Sequence, residues 1–252
     1  MPEPPFLRLA LIGDPVEHSL SPELQRGFLA AAQRSGSYEA IRVVAGDGAR
    51  AIDALHSRGY VGLNVTTPLK DEAFARADWL DPVATASASV NTLVLGDAIR
   101  GYNTDAAAAL GALHDAGLAN VASARVLVLG AGPTARAAVV ALGAAGASVS
   151  IWNRTPLRAQ ALARTLGVHT FAPGRFDAVL SALAPDAALA DADLLGAVLD
   201  APVFVDANYG ERAKLAQKLG RDGTDGTRML ERSARASFDL WLSASAPARF
   251  TG

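Results

Sequence analysis

The feature that most constrains this chain is a glycine-rich turn, Gly130-Ala131-Gly132, set directly after the apolar run Val126-Leu127-Val128-Leu129. Four consecutive aliphatic residues read as a buried strand, and the alanine-rich stretch from 134 to 145 reads as a helix. The pattern Gly130-x-Gly132-x-x-Ala135 is the alanine-terminated form of the dinucleotide-binding fingerprint. Its first glycine permits a tight turn. Its second lets the backbone approach a pyrophosphate, and the small third residue lets helix and strand pack closely. The helix start then offers N–H groups and the positive end of a dipole to phosphate. An ordinary glycine-rich turn is the competing reading, and the strand before the turn and the helix after it weigh against that.

The residue about 20 positions on separates NAD from NADP, because a carboxylate there binds the ribose 2′-hydroxyl and would repel a 2′-phosphate. Trp152-Asn153-Arg154-Thr155 occupies that place, with Arg158 one helical turn further. Arg154 can pair with a 2′-phosphate and Thr155 can donate a hydroxyl, which points to NADP. A solvated basic loop is the alternative.

A net charge of -2 over 252 residues leaves no broad basic field for nucleic acid or an anionic membrane. Zero cysteines excludes disulfides and thiolate metal sites, which fits a reducing compartment. His18, His56, His114 and His169 lack ligand-like spacing, so no metal is expected. Met1-Pro2-Glu3-Pro4-Pro5 does not resemble a secretory signal, and no apolar run is long enough to span a bilayer. The expectation is a soluble cytoplasmic protein that takes a small molecule.

Read for organisation, strands and helices alternate, which implies an α/β fold with mostly parallel sheets. Strands are expected at 7–12, 38–44, 62–66 and 90–95, the last turning at Gly96-Asp97 toward Ile99-Arg100-Gly101-Tyr102. Ser21-Pro22-Glu23 has the grammar of a helix start, with the serine as N-cap, and that helix is expected to run to about Gln33. A second helix is expected at 48–57. Thr104-Asp105 opens a helix ending near Gly117. Beyond the glycine turn come a strand at 148–152, a helix at 156–166, strands at 176–180 and 203–206, and a closing helix at 229–241. Two domains follow: 1–104, and a Rossmann-type unit at 105–233. A cleft between them is expected to hold the active site.

Further blocks identify a family. In order they are Gly13-Asp14-Pro15-Val16-Glu17-His18-Ser19-Leu20-Ser21-Pro22, Asn64-Val65-Thr66-Thr67-Pro68-Leu69-Lys70, Ser89-Val90-Asn91-Thr92-Leu93 and Gly101-Tyr102-Asn103-Thr104-Asp105, followed by the cofactor block. Together they resemble the shikimate dehydrogenases, including the quinate/shikimate enzymes, over nearly the whole chain. The resemblance implies reversible NADP-dependent reduction of 3-dehydroshikimate to shikimate, a step of chorismate and aromatic amino-acid biosynthesis. It also implies that the C-terminal helix, about 234–252, packs back on the first domain, in a monomer or homodimer.

The same likeness assigns roles. Ser19, Ser21 and Thr66 bind the substrate carboxylate, Asn91 and Asp105 its hydroxyls, and Tyr209 adds a phenol near the carboxylate. Lys70 and Asp105 form the proton-transfer pair, since hydride leaving or reaching an alcohol carbon needs a partner for the hydroxyl proton. On spacing alone Lys70 reads rather as a solvated helix-start lysine, and it is the surrounding block that turns the reading. Gly130, Ala131, Gly132, Pro133, Thr134, Asn153, Arg154, Thr155, Arg158, Ala207 and Gly226 form the cofactor set. Met229-Leu230 matches the segment lining the nicotinamide pocket, though Tyr209 and Met229 are also ordinary core residues.

The chain departs from the family pattern at several places. Gln25-Arg26 replaces His-Asn, Pro133 removes one N–H from the phosphate cradle, and Ser181-Ala182-Leu183 replaces Asn-Ala-Thr. Ser233 stands where a substrate-binding glutamine is expected. A quinate-type or divergent dehydrogenase is therefore a second expectation, and a non-catalytic NADP-binding sensor a third.

Overall fold

The computed structural model describes residues 5–221 and 224–245. The terminal segments 1–4 and 246–252, part of the expected C-terminal helix included, lie outside the described residues. Two compact units form: residues 1–104 with 233–252, and residues 105–232.

In the first unit, β1 (Leu7–Gly13), α1 (Ser21–Ala31), β2 (Gly36–Arg42), α2 (Gly48–Ser57) and β3 (Gly62–Val65) alternate. Then come α3 (Lys70–Arg76), β4 (Trp79–Leu80), α4 (Pro82–Ser87), β5 (Thr92–Leu95) and β6 (Ile99–Tyr102). The six-stranded sheet has the order β2-β1-β3-β5-β6-β4. Strands β1, β2 and β3 run parallel, while β5 is antiparallel to both its neighbours.

Apart from the exposed Arg8, the side chains of β1 are apolar on both faces, as a covered parallel strand requires. Leu7, Leu9 and Leu11 enter one core with Leu29, Tyr38, Phe238 and Trp241, whereas Ala10 and Ile12 enter the other with Ile52, Leu63, Val65 and Leu93. This is the period-2 alternation of a strand.

The second unit carries α5 (Asp105–Asp115), β7 (Arg125–Leu129), α6 (Pro133–Ala144), β8 (Ser148–Trp152), α7 (Pro156–Leu166) and β9 (His169–Thr170). It continues through β10 (Ala178–Ser181), α8 (Ala192–Asp200), β11 (Val203–Asp206), a 3-10 turn at Gly210–Arg212 and α9 (Lys214–Lys218). Its strand order β11-β10-β7-β8-β9 is parallel throughout. The chain jumps from β9 to the far side of β7, so strand order reverses between β7 and β10. That reversal leaves a crevice at the strands' carboxyl ends, the usual ligand position in such sheets.

Last comes α10 (Thr227–Ala244), whose residues from Ser233 onward belong to the first unit. Ser233, Ala234, Ser237, Phe238 and Trp241 are all buried, at the spacing of one helical face.

Several expectations need correction: the strand expected at 38–44 is Gly36–Arg42, and the one expected at 90–95 is Thr92–Leu95. Ser21 is the first residue of α1 and not its side-chain cap; the N-cap is Leu20, without a side-chain bond, and Ser19 Oγ accepts from Ser21 N at 3.2 Å. The helix starts one residue early because Leu20 already has α-region backbone angles. It also ends at Ala31 and not near Gln33, which takes a left-handed φ of 49°. The strand expected at 176–180 is Ala178–Ser181, because Phe176 turns its ring into the core while Asp177 accepts from Arg125 N.

Candidate active site

In the first unit the polar residues gather at the carboxyl ends of β1 and β3. Gly13 ends β1 against Thr66, where an added Cβ would overlap the threonine methyl. Asp14 N donates to Thr67 O at 3.0 Å, and Thr66 N to Ile12 O at 2.9 Å, so the two loops are stitched together. Arg42 Nε holds Asp14 Oδ1 at 2.8 Å from the end of β2. Along the first loop Ser19 is half-buried and Ser21 buried, and because the Ser19 oxygen accepts from Ser21 N, its O–H remains a donor. A hydroxyl that donates and a neighbouring second hydroxyl suit a carboxylate.

Thr66 leads by one turn into α3, with Leu69 N donating to Thr66 O at 2.9 Å. Lys70 opens that helix and is only 7% exposed, and its carbonyl accepts from Val90 N, next to Asn91. The helix is fixed from behind: Glu72 accepts from Gly46 N at 2.8 Å and Gly48 N at 2.7 Å. The solvated-lysine reading is thereby overturned. An ammonium this buried must be paired, and it is held on a short, anchored element.

Asn91 is engaged on both ends of its amide. Its Nδ2 donates to Thr104 Oγ1 at 2.9 Å and Ser233 Oγ at 3.1 Å, while Oδ1 accepts from Thr104 N at 2.8 Å. Next to it, Asn64 Nδ2 donates to Ser237 Oγ at 2.9 Å, its Oδ1 accepts from Tyr38 Oη at 2.8 Å, and Thr92 meets Ser237 at 2.7 Å. Tyr38, Asn64, Thr92, Thr104 and Ser237 were not singled out as site residues from the sequence. Asn64 and Thr104 stood inside quoted blocks and could have been; Ser237 carries no local signal beyond its helical spacing from Ser233.

The second unit holds the remaining candidates. Asp105 is the first residue of α5 and is buried, where a carboxylate meets the positive end of the helix dipole. Gly130 takes φ +120°, and an added Cβ would press within 2.9 Å of Ala182 O, so the first glycine of the fingerprint is sterically required. An added Cβ at Gly132 would meet nothing within 4 Å, leaving the space over the turn open. Pro133 begins α6 beyond Ala131 and Gly132, and the first turn of that helix, which includes Thr134, carries no acid. Ala135 is fully buried against the strand.

Across the crevice the Ser181 hydroxyl is buried at the end of β10 without a hydrogen-bond partner among the described residues. Asn153 Nδ2 donates to Thr155 O at 3.0 Å, shaping the turn that exposes Arg154, Thr155 and Arg158. These groups fit a dinucleotide with a 2′-phosphate: an open glycine turn, a helix start without acids and exposed guanidinium groups.

At the end of β11, Ala207 N donates to Ser181 O at 2.7 Å. Gly226 N donates to Asn208 O at 2.7 Å, and an added Cβ at Gly226 would overlap Ala207 O. Ala207 and Gly226, distant in sequence, are thus adjacent. Asp206, buried beneath them, accepts from Asn208 N and Nδ2, yet burial pushes its carboxyl above the ordinary value. Tyr209 follows, half-buried, before the 3-10 turn, and Met229 is buried in the core that contains β7 and α6. Tyr209 therefore belongs to the same unit as Ala207 and Gly226, whereas Ser19, Ser21, Thr66, Lys70 and Asn91 belong to the other.

Among the described residues no group of three or more His, Asp or Glu side chains is arranged to hold a metal, and no helix is long and apolar enough to cross a membrane.

Comparison with known proteins gives a consistent result. The family described as "Shikimate dehydrogenase substrate binding domain" matches residues 11–93, and "Shikimate / quinate 5-dehydrogenase" matches residues 112–192. A shikimate dehydrogenase (NADP(+)) of Hyphomonas neptunium is 38% identical, over 93% of this chain and 91% of that one. A namesake from Methanothrix thermoacetophila is 36% identical, over 94% and 92%. Among solved structures, shikimate 5-dehydrogenase of Thermus thermophilus in complex with NADP(H) and shikimate superposes with a TM-score of 0.82 at 33% identity, covering 94% of each chain.

Proposed function

The chain belongs to the shikimate dehydrogenase family, and from that premise we propose that it catalyses the reversible, NADP-dependent reduction of 3-dehydroshikimate to shikimate. The observation that carries this reading is Lys70: a buried ammonium on an anchored helix start, one turn from Thr66 and next to the strand end that bears Asn91.

NADPH, when bound at the Gly130-Ala131-Gly132 turn, supplies the hydride. The chain's own residues do the rest. Ser19, Ser21 and Thr66 take the substrate carboxylate, with Tyr209 supplying a further hydroxyl donor. Lys70 gives a proton to the ketone oxygen as it becomes an alkoxide and recovers one in reverse. Asp105 holds the lysine in place and accepts from a ring hydroxyl. Arg154, with Thr155, Arg158 and Asn153, recognises the 2′-phosphate, and Ala131, Pro133, Thr134, Ala207 and Gly226 line the rest of the cofactor path. The substrate is a small cyclic polyhydroxy acid, handled in the cytoplasm by a monomer or homodimer. The division into one unit of residues 1–104 with the chain from Ser233 onward and another of residues 105–232 supports substrate and cofactor on separate units.

Quinate is a second substrate worth weighing, because Ser233 spends its hydroxyl on Asn91 and Thr104 at the place where the family offers a glutamine. The test is NADPH formation on adding shikimate or quinate, with Lys70→Ala as control. Turnover of shikimate that disappears in the variant is expected. Equal silence of both proteins toward both acids would leave a cofactor-binding sensor as the better account.

A further inference from the structure

The helix α1 carries a buried amide that the assignments above do not use. Gln25 lies one turn beyond Ser21 on the buried face of α1 and is fully enclosed. Its Nε2 donates to Ala234 O at 2.8 Å and approaches Asn64 Oδ1 at 3.5 Å. Both neighbours are acceptors there, because Asn64 Oδ1 already receives the Tyr38 hydroxyl. Turning the amide over would set oxygen against oxygen, so its orientation is fixed. The consequence is that Gln25 Oε1 is buried and, among the described residues, meets no donor. A buried carbonyl oxygen left without a donor is unfavourable, so the donor missing at Gln25 calls for an explanation.

The position of this oxygen is informative. Ala234, which Gln25 grips, follows Ser233 directly, and Ser233 is the residue that stands where the family places its substrate-binding glutamine. Serine is too short to replace that amide, and its hydroxyl is engaged with Asn91 and Thr104. The neighbouring hydroxyls of Thr92, Thr104 and Ser237 are likewise engaged with one another. Gln25 is the amide in this cluster with an acceptor to spare.

We propose that Gln25 Oε1 accepts a hydrogen bond from a ring hydroxyl of the bound substrate, so that the amide lost from α10 is supplied by α1. This rests on the function proposed above. An oxygen of this kind accepts and does not donate, so it selects a hydroxyl and rejects a carboxylate or ketone. It therefore orients the ring, with its hydroxyl edge toward Gln25 and its carboxylate toward Ser19 and Ser21. Gln25 is then a specificity-determining residue for the hydride transfer, and no participant in the proton transfer.

The experiment compares wild type with Gln25→Met, which keeps length and loses the acceptor, on shikimate and on analogues lacking the 4- or the 5-hydroxyl. Affinity is measured by calorimetry on the full chain alongside kcat/KM. With shikimate the variant is expected to lose about 10- to 100-fold in both, chiefly through KM. With the one analogue that lacks the accepted hydroxyl, wild type and variant should be equal, while the other analogue keeps the full loss. The same loss on every ligand would mean a structural role, and no loss on any would mean that Oε1 bonds a buried water; either result overturns the proposal. If Gln25→Met does not melt cooperatively, Gln25→Asn, which withdraws the amide by one methylene, must give the same selective pattern. Wild type that binds shikimate selectively without turning it over would sink the dehydrogenase reading while leaving this inference standing. Wild type that binds neither shikimate nor its analogues would sink both.

Discussion

The indole of Trp241 occupies the space that a side chain at Gly62 would fill, and its Nε1–H donates to Leu93 O at 2.9 Å. The last helix is thereby seated on the middle of the first sheet by an aromatic ring against bare backbone. Gly62→Ala should cost about 1–3 kcal/mol through overpacking. Urea unfolding of the variant checks this, and an unchanged midpoint would mean that the helix moves aside without cost.

Lys70→Met keeps the apolar stem and removes the ammonium. A fall of roughly 10²- to 10⁴-fold in kcat is expected for loss of a proton donor, with the melting temperature within a few degrees of wild type. Steady-state rates and a thermal melt on the same preparation separate the two effects. If the rate loss is matched by a large loss of stability, the lysine is a structural residue.

Arg154 bears on cofactor choice. Arg154→Ala should lower kcat/KM with NADP by about 10- to 100-fold, as expected for a lost charge-assisted bond, and leave NAD nearly unchanged. Parallel assays with both cofactors decide this, and an equal fall with each would place the 2′-phosphate elsewhere.

Burial raises the carboxyl of Asp206 above its ordinary value. A raised folded-state value means that folding favours the protonated form. The contribution to stability is full below the unfolded value near 3.8 and is lost as pH rises through the folded value. Asp206→Asn keeps the shape and has no such dependence. Relative to wild type it should gain stability between pH 4 and pH 7, read from unfolding midpoints at each pH. A difference that stays constant, or reverses, would contradict the assignment.

Most strands of the two sheets were legible because apolar runs such as Leu9–Ile12 and Val126–Leu129 signal coverage on both faces, whereas β4 and β9, two residues each, were not. The glycine turn was legible because Gly130 must take a positive φ beside Ala182 O, and other residues resist that conformation. Short elements escaped. Both α4 and α8 have an aspartate cap, Asp81 accepting from Ala84 N and Asp191 from Leu194 N, but six and nine residues give little periodicity to read. Lys70 was legible only through its surrounding block, since burial is set by neighbours distant in sequence. Gln25 stood out in the sequence only as a departure from the family pattern, because its contact with Ala234 O spans 209 positions.

The path of the chain has a temporal consequence. It leaves the first unit after Thr104 and re-enters it at Ser233. Residues 105–232 are continuous and can close their own core as soon as the ribosome releases them. The first 104 residues must meanwhile hold the Leu7, Leu9 and Leu11 face open, because Phe238 and Trp241, which complete it, are synthesised only after the whole second unit. The half of the molecule made first is thus the half finished last, and in a nascent chain that uncovered leucine face is the surface a chaperone would meet.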